Sequence, residues 1–121
     1  MRHLQFILLA FLFCVALAAT VEAHAFLDHA SPGVGSKVHS SPAEVRVWFT
    51  EKLEAAFSKL QVFNEAGQQV DSRTQRLDPR NAAMMVVSVP PLKPGIYQVV
   101  WRAVSVDTHT TKGSFKFEIV P

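Results

Sequence analysis

Beyond residue 24 the chain alternates apolar and polar positions with a period of two. Ser114 to Val120 shows the pattern most cleanly: Phe115, Phe117 and Ile119 are interleaved with Ser114, Lys116 and Glu118. Such alternation predicts a strand with one face in a core and the other in water. Glu44 to Thr50 repeats it, with Val45, Val47 and Phe49 on one face. Strand-length runs also cover Ser58 to Asn64, Ala82 to Val89 and Ile96 to Val104, and short strands are expected near Ala25 to Ala30 and near Gln68 to Ser72. Turn-forming groups separate the runs, among them Ser31-Pro32-Gly33, Ser40-Ser41-Pro42, Asp78-Pro79 and Lys93-Pro94-Gly95. Glu51 to Phe57 is the one stretch suited to a helical turn. About seven short strands with this punctuation predict an all-β fold, a single Ig-like or cupredoxin-like Greek-key sandwich or barrel. Trp48, Trp101, Tyr97, Met84 and Met85 are expected in its core.

The first segment breaks the pattern. Arg2 and His3 supply a short basic start, Phe6 to Ala19 is an unbroken apolar run, and Val21-Glu22-Ala23 offers compact residues at a cleavage site. This is the pattern of a signal peptide helix at residues 1–23, cut after Ala23. A membrane-spanning helix needs about 20 apolar residues, more than this run holds. Cleavage turns a 121-residue chain into a 98-residue domain, 24–121, that begins at His24 and is exported.

Composition narrows the chemistry. The chain's 12 basic and 10 acidic side chains become 11 and 9 when Arg2 and Glu22 leave, and the basic residues are spaced singly. That spacing argues against a nucleic-acid partner. Cys14, the only cysteine, lies in the apolar run. The exported domain therefore has no disulfide and no thiolate metal site.

A domain that begins at His24 carries a chelator that an internal histidine cannot form. Its α-amine and imidazole Nδ1 close a six-membered ring on one ion, and two nitrogens in a fixed bite suit tetragonal Cu(II) best among common divalent metals. Further ligands must come from elsewhere. Asp107-Thr108-His109 is the acid and histidine pair at ligand spacing. In an extended segment residues i and i+2 project to one side, which puts both groups toward one ion with Thr108 turned away. Trp101 is in phase with them. His29 and His39, close to Ser, Pro and Gly, are expected as solvated loop residues, and adjacent Met84 and Met85 cannot readily share a Cu(I) ion on a strand.

With those residues in view, the chain resembles the CopC family of exported copper-binding proteins. The likeness covers essentially all of 24–121. It rests on HAFLDHASPGVGS, on PAEVRVWFTEKLEAAFSKLQVFNEAGQ and, most specifically, on GIYQVVWRAVSVDTHTTKGSFKFEI. The resemblance implies a periplasmic β-sandwich acting in copper homeostasis or resistance, with one Cu(II) per chain held by the His24 amine and Nδ1, Asp107 and His109. It implies an inner-membrane copper-transport partner and no small-molecule substrate. Glu51 falls where some members place a carboxylate that supports the ligands. Other members add a methionine-rich loop for Cu(I). No methionine occurs between Gln68 and Asn81, so the resemblance implies a Cu(II) site alone.

Three other readings compete. A copper oxygenase with a similar N-terminal histidine needs an exposed aromatic platform, and the single tyrosine, Tyr97, is mid-strand. A blue-copper protein needs a cysteine thiolate, which leaves with Cys14. A metal-free Ig-like interaction module is what remains if cleavage does not occur before His24.

Overall fold

The computed structural model describes residues 25–121. The apolar run, the cleavage point at Ala23 and His24 itself lie outside the described residues. In chain order the strands are β1 (Leu27–Ser31), β2 (Lys37–Val38), β3 (Glu44–Phe49), β4 (Lys59–Phe63), β5 (Arg76–Asp78), β6 (Asn81–Ser88), β7 (Gly95–Val104) and β8 (Thr110–Ile119). They make two four-stranded sheets, ordered β1-β3-β6-β5 and β2-β8-β7-β4. Pairing is antiparallel except between β2 and β8. The result is an all-β sandwich, with no helix among the described residues.

The period-two faces meet between the sheets. Val45, Val47 and Phe49 of β3 and Met85 and Val87 of β6 oppose Leu60 and Val62 of β4, Tyr97, Val99 and Trp101 of β7, and Phe115, Phe117 and Ile119 of β8, all buried. A fully buried side chain of this kind stabilises the fold by roughly 1.5–3 kcal/mol, and with no cysteine among the described residues this packing holds the sheets together. Trp101 meets Phe49 edge-on at 5.1 Å between ring centres. Across the β7–β8 ladder the partner of Trp101 is Gly113, and the indole occupies the space a side chain there would need: an added Cβ would lie 2.5 Å from Cζ2.

Three expectations about individual side chains need correction. Trp48 is half-buried on the outward face of β3, where it is not a core residue. It stacks on His29 at 4.3 Å and 11°. His29 is accordingly a residue of β1, in register with Trp48 and bonded to Asp28 through Nδ1 at 2.7 Å, not a loop histidine. His39 does lie in an exposed bend. Met84 is buried on the outward face opposite Trp48, so only Met85 belongs to the core between the sheets.

Gln68 to Ser72 forms no strand beyond a single bridge between Phe63 and Gln69. Side chains replace the missing ladder: the Val62 amide donates to Asp71 Oδ1 at 2.8 Å and the Leu60 amide to Gln75 Oε1 at 2.7 Å. The strand after it is β5, on the other sheet, and β2 raises the count to eight. Glu51 to Phe57 makes only one turn, with Ser58 N–H donating to Glu54 O at 3.1 Å.

Candidate metal centre

β7 and β8 are joined by the short loop 105–109, and its geometry starts from a buried hydroxyl. Ser105 is 1% exposed. Its amide donates to His109 O at 3.0 Å, and Thr108 N–H donates back to Ser105 O at 2.8 Å. Thr108 takes a φ of 71°, a left-handed conformation rare for a β-branched residue, and its hydroxyl donates to Asp107 O at 2.6 Å. The chain reverses here. The expected extended i, i+2 projection is therefore replaced by a turn, which brings the two groups together all the same. His109 Nδ1 lies 3.2 Å from Asp107 Oδ2, with the side chains 35% and 43% exposed.

The Ser105 hydroxyl also donates to Asp107 Oδ1. That hydrogen bond is the main reason the Asp107 carboxyl is held below its ordinary value; partial desolvation opposes it, and His109 adds a smaller lowering. A lowered folded-state value means that Asp107 favours the fold above its unfolded-chain pKa, and that this contribution disappears as pH falls through the folded value. Ser105→Ala should move the Asp107 midpoint upward, read from the pH dependence of its carboxyl carbon shift. A midpoint that stays put removes Ser105 as the cause.

Two other segments frame the loop. Residues 50–54 run beside it: Leu53 bridges to Ser105, Val106 N–H donates to Lys52 O at 3.1 Å and Glu54 N–H to Val104 O at 2.8 Å. Glu51 sits half-buried on this segment, and no hydrogen bond or ion pair joins its carboxylate to Asp107 or His109 among the described residues. The first described residues are pinned as well. Ala25 is fully buried, and its carbonyl accepts from the Thr111 hydroxyl. Phe26 N–H donates to Thr50 Oγ1 at 3.0 Å and Thr50 N–H returns to Phe26 O at 2.9 Å. The stretch that follows residue 24 is thus tied to Thr111, two positions past His109, and to Thr50, one position before Glu51.

Asp107 and His109 are brought together by the turn rather than by an extended segment. Trp101 packs in the core against Phe49 and Gly113. Ser105 and Thr111 have only a weak mark in the sequence, a small polar residue recurring in phase with the core positions of β7 and β8. Among the described residues no group of three or more His, Cys, Asp or Glu side chains is arranged to hold a metal ion, so Asp107 and His109 form at most part of a site.

A family profile, the CopC domain, matches residues 27–120. The copper transport protein CutJ of Bacillus subtilis is 33% identical over 98% of this chain, which spans only 22% of that protein's length. In structure, CopC from Methylosinus trichosporium OB3b superposes with a TM-score of 0.76 at 28% identity, covering 81% of this chain and 95% of that one. PcoC, a methionine-rich copper resistance protein from Escherichia coli, gives 0.68 at 29% identity, covering 80% and 99%.

Proposed function

The chain belongs to the CopC family, and from that premise we propose that it is an exported, non-enzymatic Cu(II) carrier in copper homeostasis or resistance. One ion is bound by the amine and Nδ1 of His24, freed by cleavage after Ala23, together with Asp107 and His109. The observation that carries the reading is the 3.2 Å approach of Asp107 Oδ2 and His109 Nδ1 beside the anchored Ala25. Donors in neighbouring positions around one ion, each about 2.0–2.2 Å from it, lie roughly 3 Å apart, so the pair needs little rearrangement to share a metal. Ala25, held to Thr111, brings the start of the exported domain to the same end of the sandwich.

The donor set selects the ion. Two nitrogens of one residue, an imidazole and a carboxylate suit Cu(II) in tetragonal geometry. Cu(I) prefers thiolate or thioether sulfur, and Met84 and Met85 lie on opposite faces of β6. The Ser105 hydroxyl holds the Asp107 carboxyl below its ordinary value, which favours the deprotonated form that metal binding requires. Periplasmic placement follows from the cleaved signal. An inner-membrane copper-transport partner accords with CutJ, a larger copper transport protein that contains a stretch like this chain.

The test is a competitive Cu(II) titration of the exported form against Asp107→Ala and His109→Ala. Each should weaken binding on the order of a hundredfold, since roughly 10–16 kcal/mol of metal binding shared by four donors leaves about 3 kcal/mol for each. Parent-like affinity in both variants would reject the assignment.

A further inference from the structure

Basic residues spaced singly in sequence are gathered by strand pairing on the outward face of the β2-β8-β7-β4 sheet. Lys59 of β4, Arg102 of β7 and Lys112 of β8 are direct cross-strand partners, and all three are exposed. Strands about 4.8 Å apart place them in a row roughly 10 Å long. Lys116, exposed on the same face of β8, adds a fourth charge. None of the four makes an ion pair among the described residues. Their neighbours on the face are Gln61, Ile96, Gln98, Val100 and Ser114; the acid Glu118 is set in register with Lys37, and Glu65 lines the groove beside Lys116. On the opposite sheet Arg46 and Arg76 share the single carboxylate of Glu44, which is bonded to Arg46 and lies 3.4 Å from Arg76.

Like charges placed directly opposite across a ladder destabilise it. An anionic partner laid on the row removes that repulsion. We propose that this face docks on an anionic bilayer, through phosphodiester headgroups such as those of phosphatidylglycerol. A protein partner fits less well, because specific protein interfaces are centred on buried apolar or aromatic anchors. Of the large exposed apolar side chains among the described residues, Phe26, Val34, Phe57, Ile96 and Val106, only Ile96 belongs to a strand of this sheet. Charges spread over three neighbouring strands match a broad, laterally mobile surface instead. The row sits toward the 105–109 loop, Arg102 three residues before Ser105 and Lys112 three after His109, so docking holds Asp107 and His109 beside the membrane.

The test uses metal-free protein beginning at His24, so the result is independent of the copper assignment. It should co-sediment with phosphatidylglycerol vesicles and not with phosphatidylcholine vesicles, and added salt should release it. Lys59→Gln, Arg102→Gln and Lys112→Gln combined should lower partitioning roughly a hundredfold, with a melting temperature equal to or above that of the parent. Arg46→Gln with Arg76→Gln should leave partitioning unchanged. Undiminished vesicle binding by the triple variant overturns the proposal. So does binding to polyglutamate without binding to vesicles, which would assign the face to an acidic protein.

Discussion

Acetylating the amine of the chain that begins at His24 should weaken Cu(II) binding on the order of a hundredfold while leaving the fold intact. The amine is one of four proposed donors, and its share of a total near 10–16 kcal/mol is about 3 kcal/mol. Acetylation changes nothing else at the site: the imidazole, Asp107 and His109 all stay. A free amine binds through its lone pair once a proton leaves near neutral pH, whereas an acetylated nitrogen is an amide with no such pair to offer. A chain begun at Ala25 should lose more, because the His24 imidazole goes and the α-amine left on Ala25 has no imidazole of its own residue to close a chelate ring. The measurement is competition against a chelator of known affinity, with circular dichroism as the check on folding. Equal affinity before and after acetylation would mean that the amine is no ligand, and would leave Asp107 and His109 with partners other than those proposed.

The sandwich was legible because both sheets bury one face. Where a strand supplies three inward apolar residues, as with Val45, Val47 and Phe49 or Phe115, Phe117 and Ile119, the two-residue period gave both element and face. It failed where the inward positions are not apolar. β8 begins at Thr110 rather than Ser114, because Thr111 and Gly113 hold the inward places without an apolar side chain. Gln68 to Ser72 misled for the converse reason: the amides it would have paired are satisfied by Asp71 and Gln75 side chains. Trp48 and His29 misled by residue type, since an outward tryptophan buries its area on a neighbouring imidazole as readily as in a core. At the site, the Asp107 and His109 pairing was readable from spacing, but not the turn that makes it. That turn depends on Ser105 and a left-handed Thr108; Ser105 keeps phase with the core positions of β7, but nothing in the pattern marks the backbone reversal at Thr108. The row Lys59, Arg102 and Lys112 was invisible to a scan for basic runs, because only strand register assembles it.

Gly113→Ala should cost about 1–3 kcal/mol, the usual range for adding bulk to a packed core, and lower the melting temperature by roughly 5–20 °C in a domain of this size. The cause is steric. The new methyl would stand 2.5 Å from Cζ2, 2.8 Å from Cε2 and 3.1 Å from Nε1 of Trp101, closer than carbon contacts tolerate. The indole cannot simply swing away, because it is 8% exposed and wedged edge-on against Phe49. Either the ring leaves its rotamer or the β7–β8 ladder parts locally. Trp101→Phe in the same chain removes Cζ2 and Nε1, the atoms on either side of the clash, so the double variant should be more stable than the sum of the two single changes predicts. The coupling should be on the order of 1 kcal/mol. Additive losses would show that the indole is not what excludes a side chain at Gly113. The same change should reach the metal site, since three residue pairs further along the ladder is the Val104–Thr110 pair that opens the 105–109 loop. Parting β7 from β8 loosens the Ser105 and His109 backbone bond that fixes Asp107 beside His109. Gly113→Ala should accordingly weaken Cu(II) binding as well, and Trp101→Phe should restore part of both losses together.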